Sequence, residues 1–262
     1  MKMECLNKIR ELPGKIGLYF RPLGGEAVMW QGDLPLIAAS VIKIPIMVEA
    51  FRRFHAGTLD PNQRISVPPE AKMPSCGALT YLHDGLEVTL MDLVVLMIIL
   101  SDNTATNLLI DLLGADRVNE TMKALDIPGI CLRRKLFDAQ QAARGIQNTV
   151  TARGIGLLLE RMAAGTLLGP EPDRQMLDIL SNQRLNGKLP FFLEPRGVRI
   201  AHKTGEDDGI THDVGVIWAK RPFVVCMLSN EVDVPRFERL MQDAALEMYE
   251  ICSGSDGWNG CA

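Results

Sequence analysis

Strand-forming segments stand at both ends of this 262-residue sequence, with a long helical region between them, and that arrangement limits the possible folds more than any other feature. A short helix over residues 2–12 is stopped by Pro13-Gly14. KIGLYF and EAVMWQ, joined through RPLGG, then read as two strands linked by a glycine turn. Near the other end VRIAHKTG, THDVGVIWA and PFVVCMLSN follow one another like the strands of a meander, and a helix is expected from Val234 to Cys252. Helical signals dominate from about Ala39 to Leu185. They comprise IPIMVEAFRRFHAG closing at Gly57, TLMDLVVLMIIL opened by Thr89, TATNLLIDLLG closing at Gly114 and ARGIGLLLERMAAG closing at Gly165. Two N-terminal strands alone are only marginally stable, so the two ends are expected to meet in one sheet. The expected fold class is α+β: a five-stranded antiparallel sheet built from both termini and packed with a mostly helical region. A cleft between the sheet edge and the helices is then the natural place for a small-molecule site.

Composition narrows the function. With 47% apolar and 23% charged residues the chain can bury a large core without a metal or disulfide staple. Lys+Arg 28 against Asp+Glu 32 leaves a formal charge of −4, so no basic footprint for nucleic acid or anionic lipid is present. The cysteines, Cys5, Cys76, Cys131, Cys226, Cys252 and Cys261, are scattered, with no Cys-x-x-Cys pair and no companion histidines, so neither a metal nor a redox cofactor is expected. The apolar run Leu93 to Leu100 is far short of the ~20 residues that cross a bilayer. The opening residues lack the apolar core and cleavage site of a signal peptide, so the protein is expected in the cytoplasm as it stands, and in the periplasm or secreted if its native N-terminus was trimmed.

Three short motifs can carry chemistry. Ser40-Val41-Ile42-Lys43 opens a helical pattern and places a serine and a lysine three apart on one face. A buried lysine of lowered pKa could there accept the hydroxyl proton. Ser101-Asp102-Asn103 follows the apolar helix and offers a second hydroxyl for proton relay and an amide for a substrate carbonyl or for the lysine. Lys203-Thr204-Gly205 lies in a β-rich run, with charge and hydroxyl suited to an anionic group and a glycine that allows close approach. Each has a plainer counterpart: a helix N-cap with a surface lysine, a capping turn, and a strand end with a turn glycine.

In order, and separated by 61 and 102 residues, the three motifs resemble those of the class A serine β-lactamase family and its penicillin-binding relatives. The likeness extends over nearly the whole chain, through LPLIAASVIKIPIMVEAFRRFHAGTLDP, TLMDLVVLMIILSDNTATNLLIDLLG and HKTGEDDGITHDVGVIW. It implies a β-lactamase/transpeptidase-like domain over 1–262, with a sheet lobe from 1–38 plus 198–262 and a helical lobe from 39–197. It implies that Ser40 is acylated, Lys43 is its base partner and Ser101 passes a proton to the leaving nitrogen. Asn103 would bind the substrate's amide side chain, and Lys203, Thr204 and Gly205 would hold its carboxylate end. The backbone N–H groups of Ser40 and Glu206 would form the oxyanion hole. The expected partner is a small-molecule β-lactam or a peptide or ester substrate, with no cofactor, no nucleic acid and no membrane span, and the protein is expected to be a monomer.

The sequence also departs from the family. A loop glutamate usually activates the deacylating water, but the matching stretch CLRRKLFDAQQAARGIQNTVTARGIG contains none. Its only acid is Asp138, which could act as the base or could cap a helix or pair with Arg133, Arg134 or Arg144. Asn107, matching the residue that orients the glutamate, is retained. Glu206, Asp207 and Asp208 replace small residues after Lys-Thr-Gly, and an acidic rim there would favour substrates carrying an ammonium group. The carboxylate-binding arginine of many members gives way to Thr211-His212-Asp213, where His212 could assist. The expected function is a serine hydrolase acylated at Ser40 by β-lactams or related amides and esters. The alternatives are a D-alanyl-D-alanine peptidase or esterase, and a penicillin-binding sensor without turnover.

Overall fold

The computed structural model describes residues 3–254. Cys261 and the last eight residues of the expected sheet lobe lie outside the described residues. Helix α1 (Glu4–Glu11) precedes the hairpin β1 (Lys15–Pro22) and β2 (Val28–Trp30). A short strand β3 (Leu36–Ile37) leads through a 3-10 turn, Ala39–Ile42, into α2 (Lys43–His55). Strands β4 (Arg64–Val67) and β5 (Leu86–Thr89) pair with each other ahead of α3 (Leu90–Ile99), α4 (Asn103–Leu113), α5 (Ala115–Ala124) and α6 (Ala139–Ala143). Strand β6 (Thr149–Val150) pairs with β3, and α7 (Ala152–Ala163) and α8 (Pro170–Ser181) follow. The chain closes with β7 (Ile200–Asp207), β8 (Ile210–Ile217), β9 (Phe223–Asn230) and α9 (Val234–Ser253).

The five-stranded sheet has the order β2-β1-β9-β8-β7, with every neighbouring pair antiparallel, so the N-terminal hairpin joins the C-terminal meander through β1 and β9. Both faces are covered, and the two-residue period of the strands divides them. Tyr19, Val224, Cys226 and Leu228 join the core shared with the central helices, whereas Leu18, Phe20, Phe223, Val225 and Met227 join a second core beneath α1 and α9. Burial on both sides explains why these strands read as continuous apolar runs.

Local chemistry sets the helix starts. Thr89 and Asp92 form a reciprocal capping box at α3, and Thr151 and Asp233 cap α7 and α9. The two small sheets, β3 with β6 and β4 with β5, are not foreseen from the sequence, because two to four residues are too few to display a period. Ser40 also differs from expectation. It sits inside the 3-10 turn, and the α-helix begins only at Lys43. Among the described residues, no helix is long and apolar enough to cross a membrane.

Candidate active site

Ser40 lines the cleft with the fully buried Lys43 against it, because the tight 3-10 turn brings residues three apart onto the same side. The Lys43 Nζ lies 2.9 Å from Ser40 Oγ, 2.9 Å from Ser101 Oγ, 2.7 Å from Ser101 O and 2.9 Å from Asn103 Oδ1. Two of these neighbours are carbonyl oxygens and can only accept, so they take two amine protons. A serine hydroxyl can then donate to the lone pair of a neutral amine. Burial pushes the Lys43 pKa well below its usual value, and the nearby Lys203 charge pushes it further in the same direction.

Ser101 is held for this role by its neighbours. It adopts a left-handed backbone, φ 54°, at the break between α3 and α4. Asp102 then caps α4 through Ala105 N and also accepts from the backbone N–H groups of Ala78 and Leu79. The middle residue of Ser-Asp-Asn is thus a brace for two segments, while Ser101 and Asn103 turn inward. Asn103 Nδ2 donates to Pro74 O, which aims its carbonyl oxygen at Lys43.

Strand β7, at the sheet edge, supplies the opposite wall. Lys203 Nζ donates to Ser101 Oγ at 3.1 Å and to Thr204 O at 2.8 Å. Burial lowers the Lys203 pKa to about 7, opposed by Asp213 and reinforced by Lys188. Gly205 permits the close packing of β7 on the 3-10 turn, since a Cβ there would stand 3.2 Å from Ser40 N and 3.3 Å from Ala39 Cβ. Thr204, Gly205, Glu206 and Asp207 line a cleft of about 520 Å³ together with Ser40, Ser101 and Asn103. Seven described non-glycine residues have positive φ, and four of them, Ala39, Ser75, Ser101 and Phe137, line this cleft. Such a concentration of backbone strain is typical of a functional site.

The segment 131–148 forms the remaining wall, where Leu136, Phe137 and Asp138 border the cleft. Asp138 is the N-cap of α6, its Oδ1 accepting from Gln141 N at 3.0 Å. Asn107 holds Leu136 instead: its Oδ1 accepts from Leu136 N and its Nδ2 donates to Leu136 O. Asp138 is the only acid in this stretch and therefore its visible candidate in the sequence, whereas Leu136 carries no chemical signal there.

His212 does not line the cleft; it is fully buried on the face of β8 that packs beneath β3 and the 3-10 turn. Its Nδ1 accepts from Ser229 N and its Nε2 donates to Ile37 O, which defines one neutral tautomer, and burial lowers its pKa to about 4. Glu206 does not point freely into solvent, because its carboxylate meets Lys188 Nζ at 2.9 Å. Lys188 belongs to none of the motifs, and only the folded chain reveals its position. Among the described residues, no group of three or more His, Cys, Asp or Glu side chains is placed to hold a metal ion.

The chain as a whole is similar to known proteins. The chain is 32% identical to a solved beta-lactamase from Sphaerobacter thermophilus, with a TM-score of 0.89 and 97% of each chain covered. It is 28% identical to a mutant of PBP-A solved as an acyl-enzyme complex with penicillin G, with a TM-score of 0.84 and 94% and 93% of the two chains covered. It is 25% identical over 250 residues to Beta-lactamase 3 of Bacillus cereus, spanning 92% of this chain and 78% of that one. The model of the beta-lactamase enzyme family matches residues 3–252. With the fold, the cleft and these likenesses in agreement, the chain belongs to the beta-lactamase enzyme family, as a serine β-lactamase-like hydrolase.

Proposed function

We propose that the protein forms an acyl-enzyme at Ser40 with β-lactams and related amides and esters, and that its β-lactam adducts are released slowly. The observation that carries this reading is the single amine of Lys43 in contact with Ser40 Oγ, Ser101 Oγ and Asn103 Oδ1. Ser40 Oγ attacks the substrate carbonyl carbon while its proton passes to the neutral Lys43 amine. The carbonyl oxygen becomes an oxyanion and takes hydrogen bonds from the backbone N–H groups of Ser40 and Glu206, each worth roughly 3–4 kcal/mol. The C–N or C–O bond then breaks, and the leaving atom receives a proton from Ser101 Oγ, which Lys43 replenishes. Asn103 orients the substrate amide, and Lys203 with Thr204 attracts its carboxylate.

Release of the acyl group needs a base beside a water. The Asp138 carboxylate is engaged as a helix cap, and the segment that Asn107 holds presents Leu136 to the cleft. Slow deacylation of rigid β-lactam adducts follows. Esters or peptides whose acyl-enzyme is intrinsically labile turn over faster, so a D-alanyl-D-alanine peptidase or esterase is the second reading. Its support is the likeness to PBP-A, a mutant of which is seen as an acyl-enzyme with penicillin G.

Intact mass spectrometry over time with benzylpenicillin and with a neutral ester, beside Ser40→Ala, tests the proposal. A slowly decaying adduct that is absent from the variant is expected. No Ser40 adduct with either compound would sink the reading, and rapid hydrolysis of the penicillin would refute slow release.

A further inference from the structure

Side chains along β7 alternate between its two faces. Lys203 and Gly205 address Ser101 and Ser40, so Thr204 and Glu206 occupy the other face, the one turned toward α9. Lys188, from the connection between α8 and β7, lies against this face with a side chain only 4% exposed. Its Nζ is 2.9 Å from Glu206 Oε1 and 3.5 Å from Glu238 Oε1 of α9, and within 3.5 Å of the carbonyl oxygens of Gly205 and His212. Thr211 Oγ1 donates to the Glu238 carboxylate at 2.8 Å, which fixes that acid in place. Glu206 is different: its side chain is 59% exposed at the lip of the cleft.

We propose that Glu206 is a tethered carboxylate that competes with the substrate's own carboxylate for Lys188. The site thereby favours acyl donors whose carboxylate is absent or masked over anionic ones. This deepens, and rests on, the reading that Ser40 is acylated. A substrate carboxylate seated at the Thr204 hydroxyl lies next to Glu206, because alternate residues of a strand stand side by side on one face. The buried cation that could receive it already faces two acids, one of them fixed by Thr211. Glu206 must therefore swing into solvent before Lys188 can accept the newcomer, and a side chain this exposed can do so. The consequence is competition and not closure, with Asp207 and Asp208 adding like charge at the rim.

Benzylpenicillin and its methyl ester form a matched pair, identical at the reacting carbonyl and different in the charge beside it. Acylation rate constants for both are measured by intact mass on the wild type, Glu206→Gln and Glu206→Gln/Lys188→Met. In Glu206→Gln the rate for the acid relative to the ester is expected to rise about tenfold. That gain is expected to vanish in the double variant. An unchanged ratio in Glu206→Gln, or a gain that survives without Lys188, overturns the proposal. Should Lys188→Met fail to fold, Lys188→Gln replaces it, and Glu206→Gln alone still decides the first point. A wild type in which neither compound labels Ser40 overturns the underlying acylation reading instead, and this proposal with it.

Discussion

Asn107 grips the peptide of Leu136 with both ends of its amide: Leu136 N donates to Oδ1 at 2.9 Å, and Nδ2 donates to Leu136 O at 3.0 Å. The grip fixes where the backbone of this loop meets the cleft, independently of the side chain carried there. A leucine side chain in that position has no group that can take a proton from a water.

Installing an acid there is the direct test. Leu136→Glu is expected to shorten the lifetime of the penicillin adduct at least tenfold, because a general base within reach of a water contributes roughly 100-fold or more. Adduct decay followed by intact mass gives the lifetime. No change would mean that the carboxylate cannot reach the deacylating water.

Asp138 caps α6 through Gln141 N, and its carboxylate is expected to take no part in deacylation. Asp138→Asn, which still caps, is expected to leave the adduct lifetime as it is. Asp138→Ala is expected to lower stability by about 1 kcal/mol, read from the denaturant midpoint. A slower decay in Asp138→Asn would return this acid to the mechanism.

The charge of Lys203 gives acylation a pH limb. Its pKa is lowered to about 7, so the side chain is cationic below that pH and neutral above it. The rate for anionic benzylpenicillin is expected to fall as pH rises through neutrality, whereas its methyl ester lacks this limb. Rates measured for both across neutral pH check the point. An equal fall for the ester would assign the limb to another group.

His212 links stability to acid. Its pKa falls from 6.5 to about 4 on folding, so between these values the unfolded chain binds a proton that the folded one refuses. Its contribution is present above pH 6.5 and lost as the pH drops toward 4, by up to about 3 kcal/mol. Urea unfolding at several pH values should show this slope and a flatter one in His212→Gln, whatever the variant's absolute stability. Parallel slopes would count against the assignment.

Gly156 lets α7 lie directly on the sheet. A Cβ there would stand 2.4 Å from Tyr19 Cδ1, and the Tyr19 hydroxyl is itself tied to Glu160, so the ring has little freedom to withdraw. Gly156→Ala is expected to cost about 2 kcal/mol and to lower Tm. An unaltered melting temperature would show that the ring retreats without strain.

Motifs and periodicity made much of this protein readable in advance. Apolar runs in the C-terminal strands, the helix-opening Thr89 and the order of Ser40-x-x-Lys43, Ser101-Asp102-Asn103 and Lys203-Thr204-Gly205 are all local properties. Each is written in residues a few positions apart, where steric preference and side-chain period act directly. The α+β class and the joining of both termini in one antiparallel sheet followed from them. The small sheets β3 with β6 and β4 with β5 did not, because their pairing comes from tertiary contact and not from strand propensity.

What only the tertiary structure decided is which groups face one another across long stretches of chain. The sequence by itself determined that a serine, two lysines and a second hydroxyl would be available. Folding determined that Lys43 and Lys203 share Ser101, 58 and 102 residues away, in a dry environment that depresses the pKa of both. It also placed Lys188 under Glu206, set the His212 ring between the backbones of β9 and β3 and put Leu136 in the hold of Asn107. The physical reason is that desolvation and charge pairing depend on the whole packed neighbourhood, and no window along the sequence contains that neighbourhood.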